Sequence, residues 1–195
     1  MPLDSDRKAQ TRRKVLGEAA AAIRSVGPGG IGVANLMKKA GLTHGGFYAH
    51  FKSKDDLVAQ AISQMFDESH DRFLKHTSHP APEDALIGFI DMYLSPRHRD
   101  EPERGCPLPS LSGDVARLPA AARERFATGV ARLTGSIAKL LKQIGRPDSE
   151  QLAASALSEI VGAVALSRAI GSQGASNAIL KATRDAVKTR LGLAR

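Results

Sequence analysis

Residues 33 to 54 read VANLMKKAGLTHGGFYAHFKSK, and no other stretch limits the fold so tightly. Residues 33–40 can make two helical turns, with Leu36, Met37 and Ala40 three to four apart on one side. Gly41 ends that helix, because glycine takes the left-handed C′ conformation without a Cβ penalty. Leu42 can plug inward. Thr43 is placed to cap a second short helix, its hydroxyl accepting from a free N–H of the first turn. Helix, glycine turn and second helix make the helix-turn-helix pattern, whose second helix enters the DNA major groove.

The side chains of this stretch divide into two sets. Phe47 and Phe51 are i, i+4 neighbours and should be core. Tyr48 and His50 point elsewhere, as DNA contacts or as plain surface aromatics. Ser53 followed three residues later by Asp56 is a start like a capping box, and it leaves helix N–H groups facing outward. With Lys54 beside it, that helix start is a ready phosphate site. Gly45 and Gly46 cost a short helix about 1 kcal/mol each relative to alanine. Either the backbone comes close to DNA there, or the second helix is lax and orders late.

Charge points to the same end of the chain. Of the net +8, residues 1–54 supply ten Lys/Arg against three Asp/Glu, and residues 55–195 eighteen against seventeen. An excess confined to the helix-turn-helix segment is the electrostatic footprint of a polyanion, which a merely solvated basic face does not explain.

The residues that carry a family resemblance are Thr43, Gly45, Gly46, Phe47, Tyr48, His50 and Phe51, followed by Ser53-Lys54-Asp55-Asp56-Leu57. They closely resemble the recognition helix and the start of the next helix in TetR-family (TetR/AcrR-like) bacterial transcriptional regulators. The resemblance spans roughly residues 7 to 60. It departs from the family at Gly46, where Ala, Ser or Thr is commoner, so a base-reading side chain at that position is in doubt. The resemblance implies DNA contacts at Thr43, His44, Gly45, Gly46, Tyr48, His50 and Lys54. It also places Arg12 and Arg13 of the first helix, with Arg7, Lys8 and Lys14, for phosphate contacts that fix position and carry no sequence information.

The rest of the chain reads as helical. Alanine and leucine dominate, Trp is absent, and few runs alternate with period two, so the fold class is all-α. A first helix over residues 6–26 has Val15, Ala19, Ala22, Ile23 and Val26 on one stripe. The loop Gly27-Pro28-Gly29-Gly30 follows a helix and lacks a P-loop Lys-Ser/Thr, so a connecting loop is expected there and not a phosphate cradle. A long helix over residues 55–76 follows the helix-turn-helix, and Pro80 and Pro82 break it. Residues 83–94 form a helix, 95–105 an irregular charged segment, and 107–117 contain a short helix. Pro119 starts a long helix to residue 144. Asp148 caps another to residue 170, and residues 175–191 make the last. Residues 152–169 are apolar over more than one face, as a central core helix or a subunit interface requires. The family resemblance favours the interface, a homodimer whose four-helix bundle comes from the last two helices of each subunit.

Two domains are expected: residues 1–54, a three-helix helix-turn-helix DNA-binding domain, and residues 55–195, a helical effector-binding and dimerisation domain. Met65, Phe66, Phe89, Met92, Tyr93 and Phe126 are candidate lining for an effector pocket, though core packing is the leading reading for any one of them. Cys106 has two readings. It is a small packed hydrophobe, or a thiol activated by Arg97, His98, Arg99 and Arg104 on a kinked Gly-Cys-Pro backbone. The Gly105-Cys106-Pro107-Leu108 segment is similar to a subset of the family, some of whose members sense electrophiles or oxidants through cysteine. His70, His76, His79 and His98 lack i, i+4 spacing and a second cysteine, so no metal and no cofactor is expected. No nucleophile elbow, paired carboxylates or nucleotide fingerprint suggests an enzyme. No membrane-length apolar run or signal-peptide core is evident, so the location expected is cytoplasmic.

The expected function is a repressor, bound as a dimer to a palindromic double-stranded DNA operator and released by a small-molecule or electrophilic effector. The alternatives are a nonspecific nucleoid-type DNA-binding protein and a helical carrier or enzyme with an incidental basic segment.

Overall fold

A computed structural model of the chain describes residues 2–193, without the side chains of residues 2–5 and of residue 44. Among the described residues every regular element is helical. In order they are α1 (Pro2–Val26), α2 (Val33–Lys39), a 3₁₀ turn (His44–Ala49), α3 (Lys54–His76), α4 (Pro82–Tyr93), α5 (Pro96–Asp100), a 3₁₀ turn (Pro102–Arg104), α6 (Leu108–Leu111), a 3₁₀ turn (Val115–Arg117), α7 (Ala120–Gln143), α8 (Ser149–Ala169) and α9 (Gln173–Leu191).

Packing divides the chain into two compact units. One takes the chain up to Asp67 together with Pro102–Thr128; the other takes Glu68–Glu101 and everything from Gly129 onward. The expected boundary at residue 54 marks the start of α3, but the division by packing falls within that helix, after Asp67, and its first turns group with the residues before them.

In the first unit, α1 contributes Val15, Leu16, Ala19, Ala20 and Ile23 to the core, α2 contributes Leu36 and Met37, and α3 contributes Leu57, Val58, Ala61, Ile62 and Met65. Leu108, Leu111 and Ala122 join them from the later segment. One expectation fails at the end of α1. Val26, expected on the apolar stripe, is 63% exposed, and Arg24 is buried instead. The guanidinium is kept inside by backbone carbonyl acceptors, a compensation that periodicity alone does not reveal.

In the second unit α8 packs chiefly on α9, with α4 against α9 and α5 against α8. The expected irregular segment after α4 is in fact α5. Ser95 accepts from the His98 N–H at 3.1 Å and Pro96 supplies the pre-set φ of a first helical residue, a start signal that outweighed the charged composition. Asp148 does not cap α8 through its side chain; its carboxylate lies 3.5 Å from Arg146 Nε instead. By length and composition alone, helix α8 is apolar enough to cross a bilayer, which corrects the expectation that no such run exists. Its residues Ala153, Ala156, Leu157, Ile160, Ala163 and Val164 are all buried, while Leu166 is 59% exposed.

Candidate DNA-binding surface

The turn between α2 and the recognition segment forms as the sequence implies. Gly41 has φ +76°, and the Leu42 N–H reaches back to the Met37 carbonyl at 2.8 Å, closing the helix end. The next segment departs from expectation. His44–Ala49 is a 3₁₀ turn, with the Gly46 N–H on the Thr43 carbonyl at 3.1 Å and the His50 N–H on the Phe47 carbonyl at 2.9 Å. Thr43 makes no side-chain cap. A six-residue 3₁₀ run is unusually long, and two adjacent glycines remove the propensity that would otherwise favour the α form.

The glycines are not demanded by the fold of the free chain. Neither has a positive φ. A Cβ on Gly45 would meet nothing within 4 Å, and one on Gly46 would meet only ordinary contacts, Thr43 Oγ1 at 3.6 Å and Met37 Cε at 3.8 Å.

Phe47 and Phe51 are 1% and 2% exposed and stack with centroids 5.5 Å apart, so they anchor the segment as the spacing predicts. Tyr48, between them in sequence, is 71% exposed and meets Phe47 only edge-on. His50 is half-buried, with Nδ1 enclosed and without a hydrogen-bond partner among the described residues. The side chain of His44 lies outside the described residues.

The start of α3 is capped from both directions. Ser53 Oγ accepts from the Asp56 N–H at 3.0 Å, and Asp56 Oδ2 accepts from the Lys52 N–H at 3.0 Å. This is the expected box, with the acid reaching one residue further back than the usual pattern. Hydrogen bonds from the Gln60 side chain and then from the Lys52 backbone hold the Asp56 carboxyl below its ordinary pKa. Lys52, Ser53 and Lys54 stand exposed beside this helix start.

On α1 the two arginines have different fates. Arg13 is exposed, as are Arg7, Lys8 and Lys14. Arg12 is half-buried, donates to Gln60 Oε1 and lies 5.5 Å above the Phe51 ring. Its guanidinium therefore ties α1 to the recognition segment and to α3, and only part of it faces solvent. Lys38 and Lys39, exposed in the last turn of α2, extend the cationic surface.

The residues expected around an effector fall in both units. Met65, Phe66, Cys106 and Phe126 belong to the first, where Phe66 and Phe126 meet edge-to-face at 5.5 Å. Phe89, Met92 and Tyr93 belong to the second, where Phe73, Phe89, Tyr93 and His98 form a continuous aromatic chain. All but Met92 and Phe126 are buried. Cys106 is 3% exposed, so the kinked Gly-Cys-Pro context does not bring the thiol to the surface. A groove of about 530 Å³ between α7 and α8, lined by residues including Thr134, Ala138, Lys142 and Ser149, contains none of the expected lining.

Sequence reasoning missed two buried cations. Arg24 is one. Arg99 is the other, donating to Ser176 Oγ at 2.8 Å, Asn177 Oδ1 at 2.6 Å and both oxygens of Asp100. Arg24 has no local signature, because its acceptors are backbone carbonyls 41 and 79 residues away. Arg99 has Asp100 beside it, but the Ser176 and Asn177 acceptors lie 77 and 78 residues away.

Residues 15–61 match the family model described as bacterial regulatory proteins, tetR family. Among solved structures, the chain is similar to a TetR transcriptional regulator from Chloroflexus aurantiacus J-10-FL, at 25% identity and a TM-score of 0.83 over 96% of each chain. It has the fold of the reduced form of E. coli NemR, at 20% identity and a TM-score of 0.79 over 92% of this chain and 97% of that one. A TetR-family regulator from Cytophaga hutchinsonii gives 17% identity and a TM-score of 0.81 over 94% and 96%. No curated protein sequence matches the chain. Residues 15–61 thus carry the DNA-binding domain of tetR-family bacterial regulatory proteins, and the fold along nearly the whole chain is that of TetR-family transcriptional regulators.

Proposed function

We propose that the protein is a repressor that binds a palindromic DNA operator as a homodimer in the bacterial cytoplasm and is released by a small-molecule or electrophilic effector. The observation that carries DNA binding is the division of labour in residues 43–54. Phe47 and Phe51 are locked inside while Tyr48 and Lys54 stand free beside an N-terminal helix start. Tyr48 and Lys54 then contact phosphates, with Arg13 on the flank, and the Gly45-Gly46 backbone comes closest to the groove. Thr43, His44 and His50 complete the contact set. The partly exposed apolar residues of α8, Leu166 foremost, support a two-fold interface in which α8 and α9 of two subunits associate.

For the effector, a ligand would enter the aromatic interior, with Phe89, Met92 and Tyr93 in one unit or Met65, Phe66 and Phe126 in the other as its lining. An electrophile or oxidant has one thiol to act on, Cys106, and the description of the NemR structure as a reduced form suggests redox chemistry as the comparison to make. Burial means that Cys106 reacts only when the segment around it opens.

The test is selection of a binding site from a random duplex library, followed by fluorescence anisotropy against a scrambled competitor at fixed salt. A palindromic consensus and strong preference over the scramble are expected. Equal affinity for both duplexes, with a steep salt dependence, would replace the regulator with a nonspecific DNA-binding protein.

A further inference from the structure

Arg24, near the C-terminal end of α1, is 5% exposed. Its Nη1 donates to the Glu103 carbonyl at 3.1 Å and its Nη2 to the Met65 carbonyl at 3.2 Å. The positions of these acceptors are informative. Chain passage between the compact units occurs at 67/68, 101/102 and 128/129. Glu103 lies one residue beyond the second of these crossings and Met65 two residues before the first. One buried guanidinium on the first helix of the DNA-binding unit thus holds the backbone beside two of the three crossings. A planar fork holds two carbonyls on different elements in a fixed geometry from two separate nitrogens, a span that the single nitrogen of an ammonium does not reproduce. The segment it holds continues through Cys106 into α6, whose Leu108 and Leu111 are buried with it.

We propose that Arg24 is a coupling residue: by fixing the carbonyls of Glu103 and Met65 to α1, it links DNA occupancy to the closure of the segment that carries Cys106. The inference rests on the regulator reading above. It follows from linkage that, if opening this segment lowers affinity for the operator, bound operator suppresses opening by the same factor. Without Arg24 the two equilibria separate. The residue touches neither DNA nor effector in this scheme; it acts by position.

The buried thiol reports on the opening without any need for the natural effector. Cys106 is the single cysteine, so reaction with Ellman's reagent, 5,5′-dithiobis(2-nitrobenzoic acid), is an unambiguous clock. The experiment uses the full-length chain and the duplex selected from the random library, with the scrambled duplex as control. For the wild type, saturating operator should slow labelling by about five-fold or more, the lower range of allosteric coupling, and the scramble should not. In Arg24→Met, which keeps the length of the side chain but loses both donors, labelling should be faster and the same with and without operator. Arg24→Lys, a second variant with less risk to folding, should also lose most of the protection.

Folded variants that bind operator and keep the wild-type protection ratio would overturn the role of Arg24. A wild type that binds operator without protecting Cys106 would overturn the coupling itself. Absence of any preferred duplex, visible in anisotropy before thiol reagent is added, would remove the regulator reading and this inference with it.

Discussion

Arg12 and Arg24 aside, the two compact units handle much of their positive charge differently. In the DNA-binding unit, Arg13, Lys14, Lys38, Lys39 and Lys54 are exposed and make no ion pair among the described residues. In the other unit several cations are spent on the protein itself, although Lys75, Lys139 and Lys142 stay exposed. Arg99 chelates Asp100 and reaches Ser176 and Asn177, while Arg168 donates to the carbonyls of His98 and Arg99. Arg184 and Lys188 flank Asp91, and Arg190 pairs with Glu159. Basic residues in equal numbers would give equal fields only if equally free. Exposure without a carboxylate partner leaves potential available to a polyanion, whereas a chelated guanidinium contributes to packing order and little to the external field.

The sharpest way to break this contrast is to remove an inward-facing cation. Arg99 is 6% exposed and its network is closed, since Ser176 Oγ, which accepts from it, donates in turn to the Ser167 carbonyl at 2.7 Å. Arg99→Met should lower stability by about 3 kcal/mol, toward the low end for a broken buried pair because the partner Asp100 is 58% exposed and can rehydrate. Urea titration measures it. Operator affinity of the folded fraction should be unchanged; a parallel loss would mean that this cation also serves the DNA surface.

A second effect of nearly that size comes from pH. Burial, chiefly, pushes the pKa of His98 down to about 4, opposed by its hydrogen bond to the Tyr93 carbonyl at 2.7 Å and reinforced by the charges of Arg168 and Arg72. The unfolded chain takes up the proton near 6.5, and the folded one refuses it until about 4. Unfolding therefore binds a proton within that window, and stability falls as pH drops through it, by about 3 kcal/mol in all. Urea midpoints at pH 7, 5.5 and 4.5 should show the decline, and His98→Gln should flatten it. Asp56, Asp100 and Asp185, whose pKa values are lowered, add their losses only below about pH 4.

The outward-facing set gives smaller numbers and the reverse signature. Lys54→Ala should weaken operator binding by about 1 kcal/mol and reduce the salt slope by about one, with stability untouched. Tyr48→Ala should weaken it about tenfold, roughly 1.4 kcal/mol, again in a folded protein. Wild-type affinity in both variants would sink the assignment of residues 43–54 as the DNA surface.

What could be read from the chain in advance follows the range of the interactions. Gly41, Phe47, Phe51 and the Ser53/Asp56 box are settled by neighbours within four residues, and each was legible. So was the placement of Tyr48, because its flanking phenylalanines fix the face it must leave. The caps expected at Thr43 and Asp148 do not form: the segment after Thr43 is a 3₁₀ turn, and the Asp148 carboxylate has Arg146 as a competing partner. Arg24 and Arg99 were not legible, since burial of a guanidinium depends on acceptors that only the tertiary structure supplies. Cys106 shows the same limit from the other side. Its sequence context suggested access, and the folded chain buries the thiol.

The finest test of the contrast lies in Gly45, where stability and binding should move in opposite directions. Its backbone has no positive φ, and a Cβ there would meet nothing within 4 Å, so alanine fits the free protein. Replacing glycine at a compatible position reduces the entropy of the unfolded chain and favours the helical form, by about 0.4–1 kcal/mol. Gly45→Ala should therefore raise the melting temperature by a few degrees. If the open space above Gly45 is where the DNA backbone or groove edge approaches, the same methyl group obstructs it, and operator affinity should fall even as the fold gains. A variant that is more stable and binds as well or better would show instead that the glycines only slacken the 3₁₀ segment. Contact with DNA would then rest on Tyr48 and the cations alone.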